Sequence, residues 1–451
     1  MNNLRVVDRP QVDLRPVAEL KPARRVLRTH SEQQIAQIMG SIRQFGFTQP
    51  ILLGDDNRIV AGHGRVEAAR RLGMETLPTI ALSHLGPEEL RAYAIADNKL
   101  ALNAGWDEEL LKLEVIELAE LPLEFELDVT GFSTVDLDVL LDTAEGKAAD
   151  PDDNDEPPRR WPTTARGDLW SLGTHRLLCG DSQDPGSFVR LMGADRARMV
   201  FSDPPYNVRI DGHVGGLGRV KHREFAMAAG EMSSNEFCEF LRTVFDNAAE
   251  VSIDGALHFQ CMDWRHIDEM MAAGRAVYDE LKNVCIWAKD NGGMGSLYRS
   301  RHEMVFLWKV GSAPHLNNVE LGKNGRYRTN VWNYRGATKI GPDAELALHP
   351  TVKPVAMIAD AIKDVSERGD IVLDPFGGSG STLIAAERTK RAARLIEYDA
   401  GYCDVIVDRW QRKTRKSAVL VETGETFAEV KARRDEEIER AADRALAEEA
   451  A

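Results

Sequence analysis

"DIVLDPFGGSGSTLIAAER" (370–388) predicts a strand, a glycine-rich loop and a helix in that order. Branched apolar residues lead up to Asp374, and good helix formers follow Ser381. Glycines let the backbone approach a ligand closely, and the first turn of a helix offers unpaired N–H groups. The stretch is therefore typical of a ligand-binding loop in an α/β sheet, although a simple tight turn also fits it.

Three ligand classes compete for this loop. A P-loop for nucleoside triphosphates needs a lysine before its final serine or threonine, and "GSGST" has none. A dinucleotide fingerprint needs glycine or alanine where Leu383 stands. The third class is a smaller nucleoside, and Glu397 at the end of the next predicted strand favours it, because an acid there can accept from ribose hydroxyls.

Short β-rich runs alternate with helical stretches through the C-terminal part of the chain. The candidate strands are DLWSLG, HRLLCGD, ARMVFSD, GALHFQC, NVCIWAK, EMVFLWK, DIVLDPF and ARLIEYD. Helical spacing appears in 233–251 and in the runs KPVAMIADAIKDVSE and GSTLIAAERTK. This alternation predicts an α/β fold with helices on both faces of one sheet.

A second segment, "FSDPPYN" (201–207), follows the apolar residues of one predicted strand. Pro204 and Pro205 fix the backbone and remove two N–H donors. The segment predicts either a strand that ends in a rigid turn or a preformed clamp for a flat ligand that carries an amino group. These residues alone do not decide between the two.

Together these segments resemble the amino-directed DNA methyltransferases of restriction-modification, which methylate adenine or cytosine amines with S-adenosylmethionine. DPPY resembles the family's catalytic tetrapeptide, and DPFGGSGST resembles its cofactor loop. HPTVKP (349–354) and RLLCGDS (176–182) resemble two further cofactor segments, and NVW (330–332) and IWAKDN (286–291) also fit the family. The resemblance covers 163–415, in the motif order of the circularly permuted β group.

The resemblance implies a Rossmann-like, S-adenosylmethionine-dependent methyltransferase sheet and a role for individual residues. The implied catalytic residues are Asp203, Pro204, Pro205 and Tyr206. The implied cofactor-binding residues are Asp181, Thr351, Lys353, Asp374, Phe376, Gly378, Gly380, Thr382 and Glu397. The Asp203 carboxylate and the Pro204 carbonyl would accept the two amine N–H groups, and Tyr206 would stack on a base flipped out of the duplex. In-line alignment would be the main catalytic contribution, with no covalent intermediate.

The first residue of the tetrapeptide bears on the target base. Aspartate favours N6 of adenine, because N4-cytosine enzymes more often carry serine there, yet permuted enzymes of both kinds exist. Between the two motifs, 207–348 would contain the target-recognition and DNA-contacting parts. The glycine-rich, basic segment 208–232 fits either a loop that closes on the substrate or an ordinary disordered loop.

"FGFTQPILLGDDNRIVAGHGRVEAARRLG" (45–73) resembles the N-terminal domain of ParB-like partition proteins, a fold shared with sulfiredoxin. It implies a smaller α+β domain ahead of the methyltransferase. His63 stands where sulfiredoxin chemistry needs a cysteine, which argues against that activity. Nucleotide binding at Gly62, His63, Gly64 and Arg65 stays open beside a DNA-contacting or structural role. A ParB-type DNA-binding protein with a non-catalytic methyltransferase half is therefore the alternative to an enzyme.

Composition and spacing predict the domain organisation. The expected domains are 1–125 (ParB-like), 126–162 (helix and acidic linker), 163–420 (methyltransferase) and 421–451 (a charged helical tail, expected to be a solvated appendage). Within the first domain, apolar spacing predicts a helix over 31–46 with Ser31 as N-cap and a mostly helical stretch over 85–121. One more helix is expected within 128–146.

The formal net charge of −15 is unusual for a protein that contacts DNA phosphates. Acidic residues concentrate in 149–158 and 433–450, whereas basic residues cluster at 24–28, 219–223 and 411–416. The charge weakens double-stranded DNA as the expected partner without excluding it.

The five cysteines are scattered and form no C-x-x-C pair, which argues against disulfides and a cysteine-rich zinc site. RHEMVF (301–306) is not a zinc-protease motif, because Phe306 stands at the second histidine position. No apolar run is long enough to span a bilayer, and the N-terminus lacks a signal-peptide core. We expect a cytoplasmic protein that needs no metal; a homodimer stays open.

Overall fold

The computed structural model describes residues 11–23, 29–103, 105–121, 123, 125, 127–140, 161–207, 230–289, 297–319, 328–334 and 353–449. It divides into two compact units, 1–143 and 144–451. Each unit has a hydrophobic core of its own. Among the described residues, no helix combines the length and apolar character needed to cross a membrane.

The first unit is built on a four-stranded sheet in the order β1-β4-β2-β3. The strands are β1 (Asp13–Pro16), β2 (Ile51–Leu53), β3 (Ile59–Ala61) and β4 (Thr76–Ala81). The β2–β4 pairing is parallel, and the other two are antiparallel. Helices α1 (Glu32–Phe45) and α2 (His63–Arg71) pack together beside it. The Ser31 side chain caps α1 by accepting from the Gln34 amide at 3.1 Å, which confirms the predicted N-cap.

Three further helices complete this unit: α3 (Pro87–Asn103), α4 (Glu108–Glu120) and α5 (Thr134–Leu140). The stretch predicted as mostly helical, 85–121, is two helices, because Gly105 interrupts it and Asp107 starts the second as an N-cap. A 3-10 turn spans Leu127–Thr130. Val115, Leu127 and Leu137 form a small separate core, so α4 and α5 are held together by apolar packing.

The second unit contains one ten-stranded sheet. Its strands are β5 (Leu169–Leu172), β6 (His175–Cys179), β7 (Ala197–Ser202), β8 (Ser252–Met262), β9 (Glu280–Ala288), β10 (His302–Lys309), β11 (Val331–Asn333), β12 (Ile371–Asp374), β13 (Ala392–Glu397) and β14 (Val419–Leu420). Their order is β11-β9-β10-β8-β7-β12-β13-β6-β5-β14. The five central strands, β8 to β6, are parallel to one another. All eight predicted strands are present; β11 and β14 were missed because two or three residues are too short to show a period.

Helices cover both faces of this sheet. They are α6 (Pro185–Met192), α7 (Ser234–Glu250), α8 (Ile267–Val277), α9 (Val355–Val365), α10 (Ser381–Arg388), α11 (Ala400–Thr414) and α12 (Phe427–Glu449), with a 3-10 turn at Trp264–His266. Met199 and Phe201 of β7 pack into the core beneath α9, α10 and α11, whereas Val200 packs on the α6 side. Alternate burial on two faces explains why the central strands are continuously apolar. The predicted α/β sheet with helices on both faces is confirmed, as is the smaller α+β domain that precedes it in the sequence.

The sheet has a topological switch point between β7 and β12. Helix α7 leads from β7 to β8 on one side, whereas α10 leads from β12 to β13 on the other. The two crossovers diverge, so a crevice opens at the carboxyl ends of β7 and β12. Ligands of open α/β sheets bind at such a crevice.

The start of helix α12 belongs to the core. Phe427 and Val430 are buried, and the Phe427 ring lies 5.2 Å from that of Trp170 in an edge-on arrangement. The Arg434 guanidinium contacts the Asp168 carboxylate at 2.6 Å. The tail is helical as predicted, but the expectation of a solvated appendage is wrong for its first turns, because the high charge of the segment hid two apolar anchors.

Candidate active site

Four acidic side chains lie at the same edge of the large sheet. Asp203 follows β7, Asp374 ends β12, Glu397 ends β13 and Asp181 follows β6. These strands are adjacent and parallel, so their carboxyl ends meet at one edge. The structure thereby gathers residues that the sequence placed in separate segments.

The tetrapeptide forms a compact clamp at the end of β7. Pro204 is buried, and the Tyr206 hydroxyl lies 2.7 Å from Oδ1 of Asp203. Asn207 has a positive φ of 52°, and its side chain bonds the backbone of Gly230 and Met232. The segment therefore ends the strand in a rigid turn, as one of the two interpretations predicted, and this turn holds the Asp203 carboxylate beside Tyr206. The clamp for a ligand that carries an amino group stays a prediction.

Two lysines and a second carboxylate surround this clamp. Lys353 lies 2.6 Å from Oδ2 of Asp203 and 3.0 Å from Oε2 of Glu303. The Tyr206 hydroxyl is also 3.0 Å from Oε2 of Glu303, and Lys289 forms an ion pair with Oε1 of the same carboxylate. The five side chains are a connected, largely buried network, which we call the clamp cluster: Asp203, Tyr206, Lys289, Glu303 and Lys353.

Burial and charge act in opposite directions on the two carboxylates. Burial alone would raise the pKa of Glu303, but Lys353 and Lys289 outweigh it and lower that pKa to about 2. Burial raises the pKa of Asp203; Lys353 opposes the shift, and the charge of Glu303 adds to it. Glu303 is thus the firmly ionised partner, because two ammonium groups contact it against one for Asp203.

The glycine loop connects β12 to α10 beside Glu397. The Gly378 amide donates to Oε2 of Glu397 at 2.7 Å, and the Asp399 amide donates to Oε1 at 2.8 Å. Asp374 accepts from the Phe376 amide at 3.0 Å and from the Thr382 hydroxyl. Burial raises the pKa of Asp374 to about 8 and that of Glu397 to about 7. Hydrogen bonds to the Asp374 and Glu397 carboxylates therefore hold the loop in place, and both carboxylates have pKa values near neutral pH.

Several features of this loop fit the predicted nucleoside cofactor. Gly378 has a φ of +50°, and an added Cβ there would meet just one atom within 4 Å, the Phe376 carbonyl oxygen at 3.9 Å. The hydroxyl of Ser381, in the first turn of α10, is buried without a hydrogen-bond partner among the described residues. Glu397 accepts from the backbone amides of Gly378, Asp399 and Tyr398, and a carboxylate with about four lone-pair sites keeps capacity for a ribose hydroxyl. The open backbone at Gly378, the buried hydroxyl of Ser381 and the carboxylate of Glu397 thus lie in one region, as a nucleoside site requires.

A cavity of about 400 Å³ lies beside the first turns of α7. It is lined by Gln183, Met232, Phe240 and Thr243 and by three glutamates, Glu231, Glu236 and Glu239. The Phe240 ring lies 6.0 Å from that of Phe376. Its volume suits a small-molecule ligand, and its acidic lining favours a cationic one.

Asp181 lies farther along the edge. Its Oδ1 accepts from the Gln183 amide at 2.9 Å, and its Oδ2 is 3.7 Å from Arg166. The Arg166 guanidinium stacks 3.8 Å above the ring of Tyr398, the residue after Glu397. The Asp181 side chain is half-buried here, and its position near the cofactor adenine stays a prediction.

Some predicted residues lie outside the described ones: Thr351, the segment 208–229 and the basic clusters at 24–28 and 219–223. Lys353 contacts the Asp203 carboxylate at 2.6 Å, and its predicted role in cofactor binding stays a prediction. Sequence reasoning missed Glu303 and Lys289. The signal that the sequence offers for Glu303 is an acidic residue near the start of the largely apolar run "HEMVFLWK".

In the first unit, the predicted segment 62–65 begins α2. Gly62 has a φ of +103°, and an added Cβ would approach Ile51 to 2.7 Å, so glycine is required there. Arg65 donates to the Gln49 carbonyl at 2.8 Å and to its side-chain oxygen at 3.0 Å. Burial, aided by His30, lowers the pKa of His63. These contacts assign Arg65 a role in positioning the preceding loop.

Comparison with protein families gives three matches along the chain. A DNA methylase profile of the N6/N4 type matches 197–408, and the ParB N-terminal domain matches 6–99. The ParB-methyltransferase HTH domain matches 109–166, over the part for which the sequence predicted helices and an acidic linker.

Individual relatives repeat this division. The ParB-like nuclease domain-containing protein YnaK of Escherichia coli is 49% identical over 75 residues, covering 17% of this chain and 86% of that protein. The type II methyltransferase M2.DpnII of Streptococcus pneumoniae is 27% identical over 235 residues, covering 48% and 82%. The putative DNA modification methylase TTHA0409 of Thermus thermophilus, solved with S-adenosyl-L-methionine, is 19% identical with a TM-score of 0.38, covering 56% and 96%.

Proposed function

This chain belongs to the N6/N4 DNA methylases and carries ParB-type domains ahead of the methylase domain, and we propose that it methylates the exocyclic amine of a base flipped out of duplex DNA. The observation that carries the proposal is the Asp203–Tyr206 clamp, which lies beside the glycine loop at the switch point of the sheet. S-adenosylmethionine is the methyl donor of this family.

The clamp supplies acceptors for the amine. Asp203 accepts from Tyr206 on one oxygen and from Lys353 on the other, and a carboxylate with about four lone-pair sites keeps capacity for an N–H donor. Together with the Pro204 carbonyl it would bind both amine hydrogens and draw the nitrogen lone pair out of the ring. The Tyr206 ring would support the base from one face.

Cofactor binding is assigned to the neighbouring strand ends. We infer that Glu397 accepts from the ribose, that Gly378 and Ser381 face the ligand backbone and that Asp181 and Phe376 border the adenine. The bound cofactor supplies an electrophilic methyl group on a sulfonium. Because Asp374 and Glu397 are buried acids close to this loop, their ionised forms would favour its positive charge.

We propose N6 of adenine as the target, since aspartate opens the tetrapeptide. N4 of cytosine is the second candidate, because the family includes both. Sequencing that detects methylated bases in DNA from cells that express this chain gives the base and the recognition sequence together. Detection of N4-methylcytosine without N6-methyladenine would overturn the adenine assignment and keep the methylase one.

Substitution of Asp203 tests the catalytic assignment. Asp203→Ala removes the charged acceptor and should lower methyl transfer by on the order of 100-fold or more, with cofactor binding largely retained. Asp246→Ala is the matched control, since Asp246 is exposed on α7 and pairs with Arg242 at 3.7 Å. Equal transfer by Asp203→Ala and wild type would refute the assignment.

The partner is double-stranded DNA, and we propose that the ParB-type unit contributes contacts to it. The contrasting hypothesis is a DNA-binding protein with a silent methylase half. DNA binding by wild type without transfer of a labelled methyl group would favour that hypothesis. All five cysteines are free thiols, which supports a reducing, cytoplasmic setting.

A further inference from the structure

Glu303 is a buried carboxylate for which the proposed reaction has no direct use. It is 6% exposed and is the second residue of β10, between His302 and Met304. Its two oxygens contact Lys289, Lys353 and Tyr206. A buried ionised group costs free energy unless it is paired and hydrogen-bonded, and this one is paired twice.

Two of the three residues that contact Glu303, namely Lys353 and Tyr206, also contact Asp203. Lys353 is 3.0 Å from Glu303 and 2.6 Å from Asp203, and the Tyr206 hydroxyl is 3.0 Å and 2.7 Å from the same two carboxylates. The two acids and two lysines of the clamp cluster carry no net charge together. Without the Glu303 charge, Asp203 would be the remaining anionic partner of Lys353 in the cluster, and the ion pair that already joins them at 2.6 Å would strengthen.

That pairing matters because Asp203 has to accept from the substrate. A carboxylate committed to a buried ammonium is a weaker acceptor for a neutral amine, and it would be pulled towards the lysine. We propose that Glu303 is a positioning residue that shares Lys353 and Tyr206 with Asp203 and so keeps the Asp203 carboxylate oriented and available for the amine. The inference rests on the proposed methylase function.

The pH profile of the reaction separates this role from a structural one. Several charged or titratable groups face Asp203 from the surrounding elements: Tyr206 of its own loop, Lys353 ahead of α9, Glu303 of β10, Cys261 of β8 and Asp374 of β12. Asp203 works as an ionised acceptor, so activity falls as pH drops through its pKa. The charge of Glu303 raises that pKa; hence Glu303→Gln should move the acid limb of the profile to lower pH.

The experiment measures single-turnover methyl transfer against pH for wild type, Glu303→Gln, the double variant Glu303→Gln/Lys289→Gln and Glu387→Gln. Glu387 is the matched control, because its pKa is lowered to about 2 by His175 and Trp410 outside the clamp cluster. Glu303→Gln should lose about tenfold to a hundredfold in the maximal rate, with KM for DNA and cofactor nearly unchanged. Glu387→Gln should lose stability without a shift of the acid limb.

The double variant keeps the proposal testable if Glu303→Gln folds poorly. It removes one negative and one positive charge from the clamp cluster, so the cluster is neutral again and the fold should recover. Lys353 still pairs with Asp203 alone in this variant. We therefore expect the rate of methyl transfer to stay low and the acid limb of the pH profile to stay at lower pH. Recovery of the wild-type rate by the double variant would show that Glu303 is just a counter-ion for Lys289. An unmoved acid limb in both Glu303 variants would also overturn the proposal. Lack of transfer by wild type would instead refute the methylase function itself.

A second readout does not depend on methyl transfer. Carbon-13 at Cζ of the tyrosines reports the hydrogen bonding of each hydroxyl, and Tyr206→Phe identifies the Tyr206 signal. Glu303→Gln should shift that signal, whereas Glu387→Gln should leave it in place. A Tyr206 signal that is the same in wild type and Glu303→Gln would contradict the shared contact.

Discussion

The three glycines of the cofactor loop meet different steric requirements. Gly380 has a φ of +85°, and an added Cβ would lie 3.1 Å from Ile406 in the core. Gly377 faces the same isoleucine at 3.1 Å. Gly378 has open space around its α-carbon, on the side where the ligand is expected. Sequence spacing groups the three together, but Gly378 alone among them has open space at the position of an added Cβ.

We therefore predict that two alanine substitutions separate binding from folding. Gly378→Ala should weaken S-adenosylmethionine binding with a stability cost of about 1–2 kcal/mol from its positive φ. Gly380→Ala should cost at least as much stability and act on binding mainly through the fold. Calorimetric binding and thermal denaturation of both variants check this. Weaker binding at wild-type stability for Gly380→Ala, with Gly378→Ala binding normally, would reverse the assignment.

Asp374 and Glu397 make cofactor affinity depend on pH. Their raised pKa values, about 8 and about 7, mean that both gain negative charge as pH rises from 6 to 9. The sulfonium is cationic, so its binding should tighten over that range, by up to about tenfold per pH unit for each group that it contacts. The same shifts should cost the ligand-free protein stability as pH rises towards 8, because the folded state holds these protons more tightly than the unfolded chain.

S-adenosylhomocysteine is the matched ligand for this measurement, since its sulfur is neutral. Titration calorimetry at several pH values should give a steeper dependence for S-adenosylmethionine than for this product. Parallel curves for the two ligands would mean that the acids do not face the sulfonium.

Site residues that follow a predicted strand within a recognisable motif could be predicted from the sequence. Site residues that reach the site only through the order and direction of the strands could not. Asp203 and Glu397 each follow an apolar run in a recognisable motif. Glu303 joins them because β10 pairs with β8 and β9 antiparallel and turns its first residues towards the carboxyl edge. Neither the order nor the direction of those strands is encoded in local spacing. The contact between Lys353 and Asp203 likewise depends on tertiary packing and not on any local sequence pattern.

At the scale of elements, helix α12 is part of the methylase core. Phe427→Ala removes a buried ring that packs on Trp170, and we expect it to lower the free energy of unfolding by about 3–5 kcal/mol. Ile438→Ala is the matched control on the same helix, since Ile438 is 63% exposed. Chemical denaturation of the full chain measures both. Equal stability of the two variants would mean that α12 does not pack as described.

At the scale of the whole molecule, the two units have separate cores and should be separable by truncation. The Asp404 carboxylate accepts from the amides of Thr163 and Thr164 at 2.6 and 2.9 Å, so a shortened chain has to begin before them. We predict that residues 161–451 fold and transfer methyl groups at a similar single-turnover rate. Their affinity for DNA should fall, by roughly 100-fold, because linked contacts from the first unit are lost.

Fluorescence anisotropy with labelled duplex DNA at several salt concentrations tests this prediction, alongside single-turnover assays at saturating DNA. The salt dependence should become shallower for the truncated chain, since fewer phosphates are contacted. Equal affinity and equal slope for the two chains would show that the ParB-type unit does not bind the substrate DNA.

The pairing of β7 with β12 determines the stage of protein synthesis at which the candidate active site can form. Met199 is the register partner of Val372, so neighbours in the sheet are separated by roughly 170 residues of chain. At a synthesis rate of about 5–20 residues per second, β7 waits roughly ten to thirty seconds on the ribosome for the strand that completes the crevice. The ParB-type unit has emerged long before then. A nascent chain could thus meet DNA through its first unit while β7 still lacks its partner, and the proposed active site forms only after β12 has left the ribosome.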